Sequence, residues 1–425
     1  PVDLDAGETI SEEAAAESLY AYAIREIEVT RSAGRGETYT ETLRVGERQQ
    51  DLARALIFLG EGSVEARAAR LGVEAERSGG PDIMKLDEAL VDPRLNPNSP
   101  VPDEVRERAR RERQEVFELF ATRYGSGPPD SPEAAQAEVI TQLQDEDLSD
   151  TGNALVEGLV RDEHSTPATA GLALEFAMEG VGTTEELIDR TLGRMNRDEI
   201  AEMRAGHRAR TGKDLYAEMG VFGHGGTFTE LSGEDRLRAE RLLLGQPRND
   251  RERAEVAAFA IHQRREETGA FGRWLAEGSR QERSLEYNEA ELNAMVGGPI
   301  TFGPDGQPQS GPYVDQFDAE GRFRGDPAEF AARIRGAELS AQNYGAKIDQ
   351  FVNFATMAAL VGAIIVGALA SLIPGVGLVA AAAIGAAAAA IITIGAKLAI
   401  KGGAYGWEEI ATDAAVGAVD VAISI

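Results

Sequence analysis

Few side chains in this 425-residue chain stand where they could do covalent chemistry. The four histidines, His164, His207, His224 and His262, fall in no metal-ligand spacing, and the absence of cysteine removes disulfides, thiolate zinc sites and thiol nucleophiles together. No phosphate loop, nucleophile elbow or dinucleotide fingerprint is present. Carboxylates crowd every charged helix, so no one pair stands out as an acid and base. The chain is therefore read as no enzyme. Two patterns remain. Gly180 and Gly182 form a tight loop between helices, and such a loop can turn its carbonyls toward a hard cation such as calcium, or can simply link two helices. Residues 351–396, a run of 396 − 351 + 1 = 46, contain no Asp, Glu, Lys or Arg.

Charge narrows the partners. Lys plus Arg total 43 against 72 for Asp plus Glu, a net charge of −29. Nucleic acid is excluded, because phosphate binding needs clustered cations. An anionic membrane should also repel the chain unless a cation bridges or acid removes charge. The start, Pro1-Val2-Asp3-Leu4-Asp5, has neither the basic nor the apolar part of a secretory signal, and the last residues stop within an apolar pattern. The chain thus reads as a processed product or a fragment, with room for a catalytic domain beyond Ile425.

The elements that must position these patterns are mainly α-helical. Residues 1–165 read as a helical region: Ser11 caps a helix through Ala14, Leu19, Ala23 and Ile27, and apolar periodicity marks further helices near 49–59, 64–76 and 103–124. Ser131-Pro132 and Thr166-Pro167 are caps with proline in the first turn. From 166 to 247 nearly every helix end is signalled. Thr183 with Glu186 and Asn196 with Glu199 form capping boxes, Gly212 stops the third helix, residues 214–219 make a short fourth, and Ser232 with Asp235 starts a fifth. A charged helical extension follows over 248–296, with Val256, Phe259, Trp274 and Leu275 as packing residues. Residues 297–325 carry turn signals and predict a small β-hairpin near 299–325. Asp315–Gly321 fails as an EF-hand, because aligning Gly321 puts Gln316 first and Pro327 last. A final helical region, 326–425, contains the apolar stretch.

Motifs within 166–247 resemble those of annexins. The run Met178-Glu179-Gly180-Val181-Gly182-Thr183-Thr184-Glu185-Glu186 is similar to the annexin calcium loop, Gly212-Lys213-Asp214-Leu215 to its third-to-fourth helix step, and Glu230-Leu231-Ser232-Gly233 to its entrance to the fifth helix. The resemblance implies one five-helix repeat, with calcium held by the carbonyls of Met178, Gly180 and Gly182 and by the Glu230 carboxylate. Glu179 departs from the usual basic residue, and Gly220–Thr229 has the look of an insertion. One such repeat beside an Ala/Gly-rich apolar stretch also resembles bacterial toxin-type proteins that are secreted or injected.

Pro374-Gly375 divides the apolar stretch into halves of about 22 residues, ~33 Å each as helix against a bilayer core of ~30 Å. The first half, with Leu360, Gly362 and Gly367, holds 11 Leu, Ile, Phe and Val residues, worth about −3 to −7 kcal/mol on insertion. Gly377, Ala381, Gly385 and Ala389 form a small-residue ladder at four-residue spacing, which lets two helix backbones approach. Lys347, Lys397 and Lys401 lie outside the two ends. The pattern predicts a helical hairpin that is soluble at first and then enters a target membrane, with acid as an aid. The alternative is a structural or cargo protein of a secretion or injection apparatus, its hairpin always shielded.

Overall fold

The computed structural model describes residues 26–34, 37–44, 47–60, 62–77, 80–144, 147–179, 184–224, 231–370, 378–406 and 409–416. The side chains of 26–46 and 357–386, among others, lie outside that description. The chain is mainly α and forms two compact units, Pro1–Phe176 and Ala177–Ile425.

The first unit opens with two antiparallel strands, β1 (Glu26–Gly34) and β2 (Glu37–Arg44). Glu26 faces Arg44, Val29 faces Glu41 and Arg31 faces Tyr39, with an irregularity between Ser32 and Gly34. This corrects the helix expected through Ile27; the rest of that helix lies outside the described residues. The reason is visible in the residue types: Ile27, Val29 and Arg31 alternate with polar neighbours at period two, and Thr38, Thr40 and Thr42 are β-branched.

Six helices follow: α1 (Glu47–Phe58), α2 (Val64–Glu74), α3 (Ile83–Leu90), α4 (Asp103–Tyr124), α5 (Pro132–Leu143) and α6 (Asp150–Arg161). Their starts are set by side-chain oxygens. Ser63, Asp82, Ser131 and Ser149 accept the amides of Ala66, Met84, Ala134 and Gly152 at 3.2, 3.0, 3.1 and 3.0 Å. Phe117, Phe120, Leu86, Leu143, Leu155 and Val156 fill the core they share.

Among the described residues two arginines are buried inside this unit, and Arg67 of α2 donates to the Ala89 carbonyl at 2.8 Å. Arg113 of α4 is buried and donates to the carbonyls of Leu90 (3.4 Å), Leu159 (2.8 Å), Val160 (2.9 Å) and Asp162 (2.6 Å). Those oxygens end α3 and α6, where a helix has carbonyls without intrahelical partners. Burial lowers the Arg113 guanidinium to about 10, with Arg67 adding to the effect, so it stays charged at neutral pH.

The helix α7 (Pro167–Ala177) is capped by Thr166, whose Oγ1 accepts the Thr169 amide at 3.2 Å. It packs on α6, where Gly152 and Gly158 leave the space that Phe176 and Thr169 take up. The boundary between the units falls at its last residue. A domain starting at 166 places α7 differently, and the packing against those two glycines is the reason.

The second unit continues with α8 (Glu185–Leu192), α9 (Arg197–Thr211), α10 (Leu215–Met219) and α11 (Gly233–Leu242). Among the described residues five helices thus lie between 167 and 242, as expected. Asn196 and Glu199 make a complete capping box, and Gly212 ends α9 in the left-handed region at φ 76°. Two caps differ from expectation. Helix α8 starts from Thr184, whose side chain makes no cap bond, and Ser232 likewise makes none. Thr183 lies outside the described residues.

The expected extension is three helices, α12 (Asp250–Glu267), α13 (Ala270–Ala276) and α14 (Arg280–Met295). Thr268 breaks the first by turning its hydroxyl back onto the Arg264 carbonyl at 2.6 Å, and Gly269 starts the next helix. Over 297–325 the anticipated hairpin takes the form of two isolated antiparallel bridges, Phe302–Pro308 and Phe317–Phe323, around a 3-10 turn at Pro312–Gln316. The prolines at 304, 308 and 312 supply no amide, so no longer ladder forms. Asp318 closes the second turn on itself, accepting the amides of Glu320 (3.0 Å) and Arg322 (2.8 Å).

Then comes α15 (Pro327–Ala370), 44 residues without a break, and α16 (Leu378–Lys401), with residues 409–416 helical after it. Phe330, Ile334, Ala337, Ala341, Tyr344, Ile348 and Val352 form a buried stripe at three- and four-residue spacing, joined in the core by Ala254, Ala257 and Ile261 of α12 and by Leu285 and Leu292 of α14.

Replacing Arg113 with Met should destabilise the first unit by about 2–4 kcal/mol, because buried carbonyls lose their donor. Urea unfolding followed on the full chain should show that loss in one transition. An unchanged midpoint would mean that water replaces the guanidinium at no cost.

Candidate membrane-binding hairpin

The apolar stretch begins on the core itself: Val352 is buried there, and Phe351 and Ala355 pack against it. The buried stripe of α15 ends at Val352, and the helix runs on to Ala370 without interruption. The chain returns as α16, which packs against α15. Lys401 at the far end of α16 lies 3.7 Å from Asp349 on α15, so the two arms run back side by side. From that contact the arms extend 370 − 349 = 21 and 401 − 378 = 23 residues, ~32 and ~35 Å of helix.

Leu360, Gly362 and Gly367 lie on α15 and Gly385 on α16; their backbones are helical, and their side-chain surroundings lie outside the described residues. Pro374, Gly375 and Gly377 lie outside them altogether. Among the described residues no helix is long and apolar enough to cross a membrane.

The base is where the structure speaks most fully, and it is built on glycine. Gly269 and Gly272 of α13 lie against the carbonyls of Ala399 and Ile400, so close that a Cβ on either would collide with them. The Gly269 amide donates to the Ile400 carbonyl at 3.2 Å. Beyond α16, Gly402 sits against the backbone of Glu267 and Gly269 with φ +59°, and Gly406 against Ser232 and Gly233.

Ion pairs surround this contact. Arg236 of α11 bonds Glu240 and Glu267, each at 2.7 Å, and reaches the Gly403 carbonyl at 3.3 Å. Gln263 of α12 ties Glu240 (2.8 Å) to the Leu237 carbonyl (3.0 Å). Lys397 holds Asp413 through both carboxylate oxygens, at 2.9 and 2.8 Å, and Lys401 reaches Glu409 at 3.2 Å. Of the cations expected to stay outside a bilayer, Lys397 and Lys401 are matched by carboxylates, while Lys347 donates to the Gln350 side chain at 3.3 Å and lies 4.7 Å over the Phe351 ring. Burial works against the Asp413 charge, yet the Lys397 and Tyr405 hydrogen bonds outweigh it and hold the carboxyl below its usual range. Burial, reinforced by Asp413, pushes Tyr405 up.

The calcium reading cannot be followed here. Gly180, Gly182 and Glu230 lie outside the described residues, while Met178 stands in the turn after α7 and the Thr184 amide closes on the Ala177 carbonyl at 3.0 Å. Among the described residues no group of three or more His, Asp or Glu side chains could hold a metal. The Gly212-Lys213-Asp214-Leu215 step is structural. Asp214 caps α10 through the Tyr216 amide at 3.0 Å, and Arg204 bonds Asp214 at 3.1 and 2.8 Å while lying 3.8 Å over the Tyr216 ring. Beside it is a cavity of about 630 Å³ lined by Arg197, Arg204, Arg208 and Tyr216. Arg197 pairs with Glu255 at 2.8 Å and Arg204 with Asp214 at 2.8 Å.

Sequence reasoning placed the hairpin and missed its grip. Gly269 and Gly272 were legible as two glycines inside a helical pattern, a sign of close backbone approach. Arg236, Glu267 and Asp413 carried no signal in a chain so rich in charge. Trp274 corrects the sequence expectation: it does not pack inward, because Gly272 and Ala276 occupy the buried side of α13.

No protein-family model matches this chain, and no curated protein matches it. The solved structures to which it is similar include a K16A mutant of annexin A8, at 14% identity over 69% of this chain and 77% of that one, with a TM-score of 0.21. Chicken annexin V is similar at 14% identity over 83% of this chain and 88% of that one, with a TM-score of 0.20. Likeness at that level of superposition carries no argument, and an annexin-type reading rests on the motifs of the chain itself.

Gly272→Ala should lower the thermal stability of the second unit, although alanine ordinarily improves a helix by up to ~1 kcal/mol. Gly206→Ala in α9, where a Cβ would meet nothing within 4 Å, should raise it. Equal gains from both would remove the glycine contact from the account. The Asp413 linkage has a definite sign. A depressed carboxyl contributes stability above its unfolded value of about 3.9, and that contribution is lost as pH falls through the still lower folded value. Asp413→Asn should therefore cost stability at pH 7 and at pH 5, and the difference from wild type should vanish only below about pH 4. A difference already gone at pH 5 would contradict the ion pair.

Proposed function

We propose that this chain is a non-enzymatic membrane-binding module whose helical hairpin, residues 351–396, inserts into a lipid bilayer. The observation that carries the reading is the single helix α15, half of it gripped by the core and the other half continuing as an uncharged arm that α16 accompanies back. An arm of ~32 Å matches a bilayer core of ~30 Å. A soluble domain has no need of such an arm beyond its core. The hairpin would form a pore or assist translocation, as a part of a secreted or injected toxin-like protein would; the annexin-type segment would assist docking, with calcium at Met178, Gly180, Gly182 and Glu230 as its cofactor. A second reading is a structural or cargo protein of a secretion or injection apparatus, whose hairpin is covered by a protein partner.

Acid works in a narrower window than the net charge alone implies. Lys397 and Tyr405 hold the Asp413 carboxyl at the base below its usual range, so this ion pair persists at pH 5 and release of the hairpin should set in only as pH falls to about 4 or below. Purified chain should release dye from liposomes more readily near pH 4 than at pH 7. Leu360→Arg should suppress the release, because arginine at mid-bilayer costs about 2.5–3.5 kcal/mol, while Arg335→Ala on the exposed anchor half should not. Liposomes left intact across that range, with and without calcium, would favour the shielded hairpin.

A further inference from the structure

We propose that Phe271 and Trp274 form an aromatic anchor for the lipid headgroup region, seating the hairpin base at the bilayer surface; this rests on the membrane reading above. The two rings stack at 5.4 Å between centroids with 19° between planes. They are 47% and 62% exposed on the outer side of α13. Water gains nothing from such a pair, whereas the interface of a bilayer favours it: one part of tryptophan is apolar and its N–H finds a polar partner.

Position gives the pair its meaning. The glycine contacts hold α13 against Ala399 and Ile400, between the two lysines that end the uncharged run. The rings are thereby fixed at the end of the arm where headgroups would lie. Exposed apolar side chains continue from the base along the arms: Leu398 at 51%, Phe354 at 70% and Ile391 at 72%. Lys397 and Lys401 are held by Asp413, Glu409 and Asp349, and the chain as a whole is strongly acidic. Attachment through the two rings should therefore work on neutral phosphatidylcholine with little dependence on salt.

The test uses the full chain with Trp407→Phe, which leaves Trp274 as its one tryptophan, and an environment-sensitive dye on a cysteine placed at Leu360 in this cysteine-free sequence. On phosphatidylcholine vesicles near pH 4, Trp274 emission should shift to the blue and be quenched more by spin label at the headgroup than deep in the acyl region. The dye at position 360 should report apolar surroundings in the same sample. Phe271→Ser with Trp274→Ser should weaken vesicle binding by about tenfold with helicity unchanged. A buried dye with unshifted Trp274 overturns the anchor and leaves the hairpin reading standing. A shifted Trp274 with an exposed dye supports the anchor and overturns hairpin insertion. A blue shift that appears with protein concentration alone, together with a dimer in sedimentation, assigns the rings to a second copy of the chain and overturns the anchor.

Discussion

The architecture of the second unit depends on two helix backbones meeting without side chains between them. Gly269 and Gly272 let α13 close on the last turn of α16, and a methyl group at either position would strike a carbonyl. The amide of Gly269 on the Ile400 oxygen turns that proximity into a hydrogen bond at a helix end, where carbonyls lack partners of their own. Everything that follows α16 is then threaded through further close approaches at Gly402, Gly403 and Gly406. The hairpin is consequently held at its base by backbone contacts together with the ion pairs around them.

This grip divides α15 by role. Its first half contributes a buried stripe from Phe330 to Val352 to a conventional core, with Tyr313 and Phe317 from the turn segment closing one side. Its second half is the arm. A helix that is amphipathic along one half and uncharged along the other stays continuous because nothing in Asn353–Thr356 breaks it, and it transmits the position of the core directly to the arm. Lys397 and Lys401 at the base add little net charge, since each is matched by a carboxylate within 4 Å. The same economy appears in the first unit, where Arg113 ends two helices at once.

How much of this was legible depends on what each feature writes into sequence. Helix ends fixed by Asn196 with Glu199, by Gly212 and by Ser131-Pro132 are local chemistry, and they stand where expected. The uncharged run announces itself by composition. Ile27 fits the spacing of a helix that starts at Ser11, but it belongs to the first strand, where the period-two alternation from Ile27 to Val29 carries the stronger signal. Trp274 was assigned inward because large aromatics usually are; the glycine beside it, whose role depends on a helix more than a hundred residues later, turned it outward. The buried Arg113 was invisible for the same reason, since its partners lie 23 to 49 residues away. Four-residue spacing can be read from a chain; a carbonyl brought close by tertiary packing cannot.

The central claim is that residues 351–396 enter a bilayer while the rest of the unit stays in water. Protease protection tests it most directly: chain bound to liposomes is digested with a nonspecific protease, and the surviving peptides are weighed. The account predicts a protected fragment that contains residues 351–396 and ends near Lys347 and Lys401, absent when detergent dissolves the vesicles. Cleavage within 351–396 on intact liposomes that have bound the protein would contradict it.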